Sequence, residues 1–332
     1  MRSEEIRRVA GALDAEVTAV RTLAGGFSHE TCLLTLAGAA SGRESVVARL
    51  GGERPGVEAA VMARARAHVP VPAVLRVLPA SDGCRPVMLL EYVPGTPLSH
   101  VLEVGRHGPR EPRKPHDLHG LGVEVGRVVA AVGAVTFDRP GFFGGEGLAA
   151  GTEQPWSAQL PGFAAACMAA EPVQERLDAA TRREWAALCA AHAPALARVD
   201  RHSRLAHADV NPKNILVSPV AGGGWRVDAL LDWEFAYSGC PYGDAANMLR
   251  FGADYPAPFV AGFRAGFAAH QPAGAPLDRD WAYLGRVLDM FALSDLVTRP
   301  RRNAVVDRAA EEIRRWTAGG LPDAPDGAGS GR

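Results

Sequence analysis

Leu205-Ala206-His207-Ala208-Asp209-Val210-Asn211-Pro212-Lys213-Asn214-Ile215-Leu216-Val217, followed after a glycine-rich turn by Leu231-Asp232-Trp233-Glu234-Phe235, is the stretch from which the rest of the chain can be read. A polar loop lies between two short apolar strands and carries a carboxylate, Asp209, and an amide, Asn214. A second carboxylate, Asp232, follows the next apolar run. A loop and the ends of adjacent strands can aim three oxygen groups at one point. Hard cations such as Mg²⁺ take such a set, supplemented by phosphate oxygens.

Upstream, residues 16–50 read as a β-meander: runs rich in β-branched residues bounded by Gly25-Gly26 and by Gly38 to Gly42. Pro55 opens a helical pattern over Gly56 to His68, which Pro70 and Pro72 stop. Two further strands are predicted at 73–78 and 86–93, and Pro94-Gly95 then breaks the pattern. Downstream the chain turns Ala-rich and helical, over 116–136, over 159–199 with a break at Pro172, and again over 241–318. The expected order is five strands with one helix, then a larger helical body. That is an α+β, bilobal chain rather than an alternating βαβ one. Residues 1–94 are expected to form the smaller lobe and 95–318 the helical lobe. The Pro/Gly-rich tail 319–332 is expected to be disordered.

The 332 residues are 47% hydrophobic and 22% charged, which is ordinary globular composition. The net charge of −1 gives no general basic surface for nucleic acid. No apolar run approaches a membrane span, and the N-terminal segment carries acids, so a soluble, cytoplasmic protein is expected. Five scattered cysteines without CxxC spacing read as buried thiols rather than zinc ligands. Lysine occurs only at Lys114 and Lys213, so arginine must do any lysine-like work in the first lobe.

The pattern His207-x-Asp209-x-x-x-x-Asn214 followed by Asp232-Trp233-Glu234 resembles the aminoglycoside phosphotransferase and choline kinase-like family, a branch of the protein-kinase-like fold. Ala24 to Ser28, Glu58-Ala59-Ala60, Val71 to Val74, Val87 to Gly95 and Ser238 to Asp244 resemble further family segments in the same order. The resemblance implies phosphoryl transfer from ATP or GTP, with Mg²⁺, to a hydroxyl of a small molecule. Asp209 would accept the proton of the attacking hydroxyl or orient it, and Asn214 and Asp232 would hold the metal. Arg49 stands where kinases place a lysine, with Glu58 as its partner. Gly25, Gly26 and Ser28 would approach the phosphates, and Glu91 to Val93 would offer backbone groups to the nucleobase. Glu234 is a candidate for the acceptor pocket or for supporting the metal, while His207 and Asp244 are expected to pack and to brace the loop. An aminoglycoside acceptor, and with it antibiotic inactivation, is the first reading. A metabolite alcohol such as choline, homoserine or a sugar is the second, and a nucleotide-binding pseudokinase the third. The intact Asp209, Asn214 and Asp232 argue against the last. A protein kinase proper is disfavoured because no A-P-E-like segment follows Asp232.

Overall fold

The computed structural model describes residues 1–23, 29–39, 42–81, 83–107, 117–300 and 303–325. The predicted phosphate-side residues Gly25, Gly26 and Ser28 lie outside them. By contact density the chain divides into two compact units. One comprises 1–101, 143–149 and 212–236; the other comprises 102–142, 150–211 and 237–332.

The first unit begins with a helix that the sequence did not announce, α1 (Ser3–Leu13). The expected meander follows as β1 (Glu16–Thr22), β2 (Glu30–Ala37) and β3 (Ser45–Leu50), then α2 (Pro55–Ala65), β4 (Val74–Leu78) and β5 (Val87–Glu91). The strands form one antiparallel sheet in the order β1-β2-β3-β5-β4. Alternation along the strands sorts the faces. Cys32, Leu34 and Leu36, with Val46, Ala48, Leu50, Val87 and Leu89, form a core that Val9 of α1 completes. Arg49, between Ala48 and Leu50, therefore points to the opposite face.

Two later segments belong to this unit. A short strand, β6 (Thr96–Pro97), hydrogen-bonds a hairpin that comes more than a hundred residues later. Arg54 also donates to the Phe143 carbonyl, which ties in residues 143–149.

The second unit contains α3 (Leu98–His107), which begins in the first, α4 (Leu118–Val132), the two-residue strands β7 (Phe142–Phe143) and β8 (Ala150–Gly151), α5 (Trp156–Ala169), the single turn α6 (Glu171–Gln174) and α7 (Ala179–His192). Next comes β9 (Arg204–Ala206), and then the chain returns to the first unit for the hairpin β10 (Ile215–Pro219) and β11 (Trp225–Leu230). Finally β12 (Tyr237–Gly239) pairs with β9, and α8 (Tyr242–Leu249), α9 (Ala257–Ala269), α10 (Trp281–Leu296) and α11 (Ala304–Gly319) complete the body.

Helix ends follow the sequence chemistry. Asp117, Asp178 and Asn303 cap α4, α7 and α11 through their side chains. The crossing of α4 on α9 is closest where glycines meet. A Cβ on Gly126 would stand 2.3 Å from the Phe263 carbonyl oxygen, and one on Gly266 would stand 2.2 Å from that of Val123.

One expectation is corrected in part. Residues 319–325 are held rather than loose: Leu321 is buried, and Asp323 accepts from Arg264 and Arg286. An apolar anchor and a twice-paired acid outweigh the Pro/Gly composition there. Among the described residues, no helix is long and apolar enough to cross a membrane.

Candidate active site

In the first unit the site is built outward from β3. Its alternation sends Arg49 away from the sheet core, where it is 8% exposed. There one guanidinium nitrogen donates to Glu58 Oε2, and the other donates to Asp232 Oδ1 at 3.2 Å. Glu58 sits in the first turn of α2, and its second oxygen accepts the Trp233 N–H at 3.1 Å. The predicted Arg49–Glu58 pair is therefore present, and it extends to Asp232. Burial pushes the Glu58 carboxyl above its ordinary pKa, against the pull of the Arg49 charge.

The hairpin brings Asn214 and Asp232 together. Ile215 faces Leu230 in the ladder, and the Leu231 N–H donates to the Asn214 carbonyl at 2.8 Å. Asp232 is the next residue, and it adopts the left-handed conformation at φ 67°. Asn214 and Asp232 supply the oxygen donors that Mg²⁺ takes, so the donor set fits that ion.

Sequence reasoning missed His29. Its side chain is 4% exposed, and its Nε2 lies 3.5 Å from Glu234 Oε2. His29, Asp232 and Glu234 place one nitrogen and two carboxylate oxygens within 4.8 Å of one another. Burial, and then the Arg49 charge, push the His29 imidazole below its ordinary pKa, while Asp232 pulls the other way. Only strand register could have found this residue: it lies one position before Glu30, which faces Leu50, at the end of the sheet where Arg49 sits.

Of the predicted hinge residues, Glu91 is already engaged. Its N–H donates to the Ala73 carbonyl, and its carboxylate accepts from the Ala73 N–H at 3.1 Å and from Arg66.

In the second unit the loop carrying Asp209 is clamped from below. The fully buried Asp244 accepts the N–H groups of His207 and Ala208 at 2.9 and 2.8 Å, which is the bracing role expected of it. Burial raises the Asp244 carboxyl to about 7, the two amides pull it down, and the Asp209 charge adds to the rise. His207 is buried and accepts the Asp209 N–H at its Nδ1. Asp209 Oδ1 accepts from the Asn211 amide at 3.1 Å. Ala208 carries φ 67°, a conformation that costs a residue with a Cβ.

Acidic residues that could receive a cationic acceptor are largely committed elsewhere. Asp289 is buried against Arg250 and Asn247, Asp254 pairs with Arg308, and Asp295 lies 3.8 Å from Arg299. Aromatic rings instead gather beside β12: Phe142, Trp156, Tyr237 and Phe291 stack edge to face or tilted, with centroids 5.4–6.1 Å apart.

No curated protein matches the chain in sequence. Solved structures do share its fold. A thermostable mutant of aminoglycoside phosphotransferase APH(4)-Ia, crystallised with ADP and hygromycin B, superposes with a TM-score of 0.66 at 17% identity, covering 99% of this chain and 100% of that one. A putative fructosamine-3-kinase from Thermobifida fusca YX-ER1 superposes at 0.56 with 16% identity, over 93% and 98% of the two chains. A microcompartment-associated aminopropanol kinase does so at 0.58 with 17% identity, over 97% and 100%. The sequence pattern of the phosphotransferase enzyme family (APH) matches residues 19–279, and the chain belongs to that family.

Proposed function

We propose that this chain transfers the terminal phosphate of ATP to a hydroxyl of a small molecule, with Asp209, Asn214, Asp232 and Arg49 as its working residues. Family membership makes it a small-molecule phosphotransferase. The donor, the residue roles and the acceptor are the parts proposed. The observation that carries the reading is the Glu58–Arg49–Asp232 chain, in which a guanidinium is held by a buried acid beside a carboxylate poised for a cation.

In that role Arg49 grips nucleotide phosphate oxygens, and its planar fork suits them. Glu58 fixes the fork and, through the Trp233 N–H, the backbone next to Asp232. Asn214 and Asp232 would hold Mg²⁺, which neutralises charge on the transferring phosphoryl group when bound. Gly25, Gly26 and Ser28 would line the phosphates, and the Glu91 carbonyl and Val93 backbone would meet the adenine. The acceptor hydroxyl oxygen attacks the γ-phosphorus, the bond from that phosphorus to the β–γ bridging oxygen breaks, and ADP leaves. The hydroxyl proton passes to Asp209, whose loop Asp244 holds in place. Positioning and charge, not covalent catalysis, supply the rate.

An aminoglycoside is the first acceptor class, in line with the hygromycin B bound to the structural neighbour. A second reading, a small metabolite alcohol, is favoured by the arginine-paired acids and by the ring cluster around Trp156. Under it, Glu234 serves the cation rather than the acceptor. A coupled ADP-release screen over aminoglycosides, amino alcohols and sugars tests both readings. Turnover lost in Asp209→Ala and in Asp232→Ala is expected; full turnover in either variant refutes the role of the residue replaced.

A further inference from the structure

We propose that His29, with Asp232 and Glu234, forms a nitrogen-containing cation site in the first unit that takes a divalent transition ion of the Mn²⁺ class. It rests on the proposed phosphotransfer only in sharing Asp232 as a metal-facing carboxylate.

His29 is the unusual member. Its ring is almost wholly buried, yet Nε2 makes no hydrogen bond among the described residues. A buried polar atom left in that state carries a desolvation cost, so a partner is expected there. The nearest carboxylate oxygen, Glu234 Oε2, is 3.5 Å away. That is long for a hydrogen bond but apt for two ligands of one ion: donors about 2.1 Å from a metal stand roughly 3.0–3.4 Å apart when adjacent and about 4.2 Å apart when opposite. The three donor atoms lie within 4.8 Å of one another, close enough for side-chain adjustments of about 1 Å to draw them onto one centre.

The backbone makes room for the ring. Gly52 has φ +90°, and a Cβ there would stand 2.8 Å from His29 Nε2. Only a glycine leaves the imidazole nitrogen where it is. Donor chemistry then sets the ion. Two carboxylates alone suit Mg²⁺ or Ca²⁺; adding an imidazole shifts preference toward first-row transition ions. Arg49, 3.2 Å from Asp232 Oδ1, keeps a positive charge beside the pair, so the ion displaces or re-aims part of that contact.

The test uses the full chain without nucleotide, with Mn²⁺ as the probe and pulsed electron spin-echo spectroscopy as the readout. The expected spectrum shows ¹⁴N coupling from a directly bound imidazole. In His29→Gln that coupling disappears and Mn²⁺ affinity falls by about tenfold or more. Gly52→Ala, which displaces the ring without removing it, loses the coupling too. Circular dichroism and thermal midpoints confirm that both variants are folded. Mn²⁺ bound to the wild-type chain without ¹⁴N coupling overturns the proposal and leaves Asp232 as a metal ligand. Coupling that persists in His29→Gln also overturns it. Absence of any Mn²⁺ binding overturns it as well, and titration with Mg²⁺ and ADP then shows whether the reading of Asp232 falls with it.

Discussion

Replacing Arg49 by methionine separates the stability of the site from its use. Arg49 and Glu58 are 8% and 5% exposed, so the substitution strands a carboxylate away from water and beside a second one. Two charge-assisted hydrogen bonds vanish, each worth about 1.5–3 kcal/mol. Removing one member of a buried pair costs about 3–5 kcal/mol in general. Here protonation limits the loss. The Glu58 carboxyl is already raised by burial, and without Arg49 it rises further. The folded state of the variant then binds a proton that the unfolded state does not, so its stability falls as pH rises above the ordinary glutamate range. We expect Arg49→Met to lose about 3 kcal/mol at pH 7.5 and clearly less at pH 5.5. Adding Glu58→Gln removes the buried charge while its amide oxygen still accepts the Trp233 N–H. The double variant should return to within about 1 kcal/mol of the native chain, because apolar or neutral replacements of buried pairs are often neutral. Nucleotide affinity should not return in it. Urea unfolding at both pH values, with calorimetric titration of Mg·ADP, reads both quantities. A single variant costing under about 1 kcal/mol, or a double variant no more stable than the single, refutes the account of Arg49 as a charge held by Glu58.

Other expectations concern the loop and the helix crossing. Asp244, raised from 3.8 to about 7, takes up a proton on folding between those values, so its contribution to stability falls as pH rises through that window and is level above it. Asp244→Asn should flatten this part of the profile. The native-minus-variant difference in urea midpoint from pH 4.5 to 8 measures it and cancels the opposite trend of His29, His192 and His202, whose values burial lowers. Ala208→Gly relieves a left-handed alanine worth about 1–2 kcal/mol but loosens the unfolded chain by about 0.4–1 kcal/mol. The net gain should reach about 1 kcal/mol, seen as a higher thermal midpoint; a lower one contradicts the strain assigned there. Gly126→Ala drives a Cβ into the Phe263 carbonyl and should cost about 1–3 kcal/mol by thermal unfolding, with far-UV helicity retained.

What the sequence could show depended on how local the cause was. The strand signal in Val46 to Leu50 is local, so the sequence could place Arg49 on the third strand, while the face it takes is seen in the structure. The spacing of Asp209, Asn214 and Asp232 is also local, and the glycine-rich turn between β10 and β11 could be read around it. α1 escaped because its buried face offers Glu5 and Val9, not an apolar stripe; the burial of Glu5 is made tolerable by Arg85, eighty residues on. The break expected at Pro172 appears, since α5 ends at Ala169, but Pro161 sits inside that helix without ending it. The hold on Leu321 and Asp323, and the pairing of β6 with β10, are non-local and left no trace in composition. His29 is the same kind of case: only the pairing of β2 with β3 brings it near Arg49 and Asp232.

Ala208 and Asp232 show why the candidate residues sit where they do. Both occupy the left-handed region, at φ 67°, and both adjoin or are residues for which a chemical role is proposed. Such backbone survives only where neighbours over-determine it. Each unit meets that requirement in its own way. In one, the buried Asp244 takes two successive amides and fixes the turn that precedes Asp209. In the other, the Leu231 N–H bond to Asn214 and the Glu58 bond to the Trp233 N–H grip Asp232 on either side, and Arg49 holds its carboxylate. A buried acid thus braces the backbone in both places. The two differ in cost. Aspartate visits the left-handed region readily, whereas alanine does not. The first clamp therefore works against its own residue and the second with it, so loosening the buried acid should release the Asp209 loop before it releases Asp232. The proposed phosphoryl transfer, which depends on groups fixed before the substrate arrives, would gain from both.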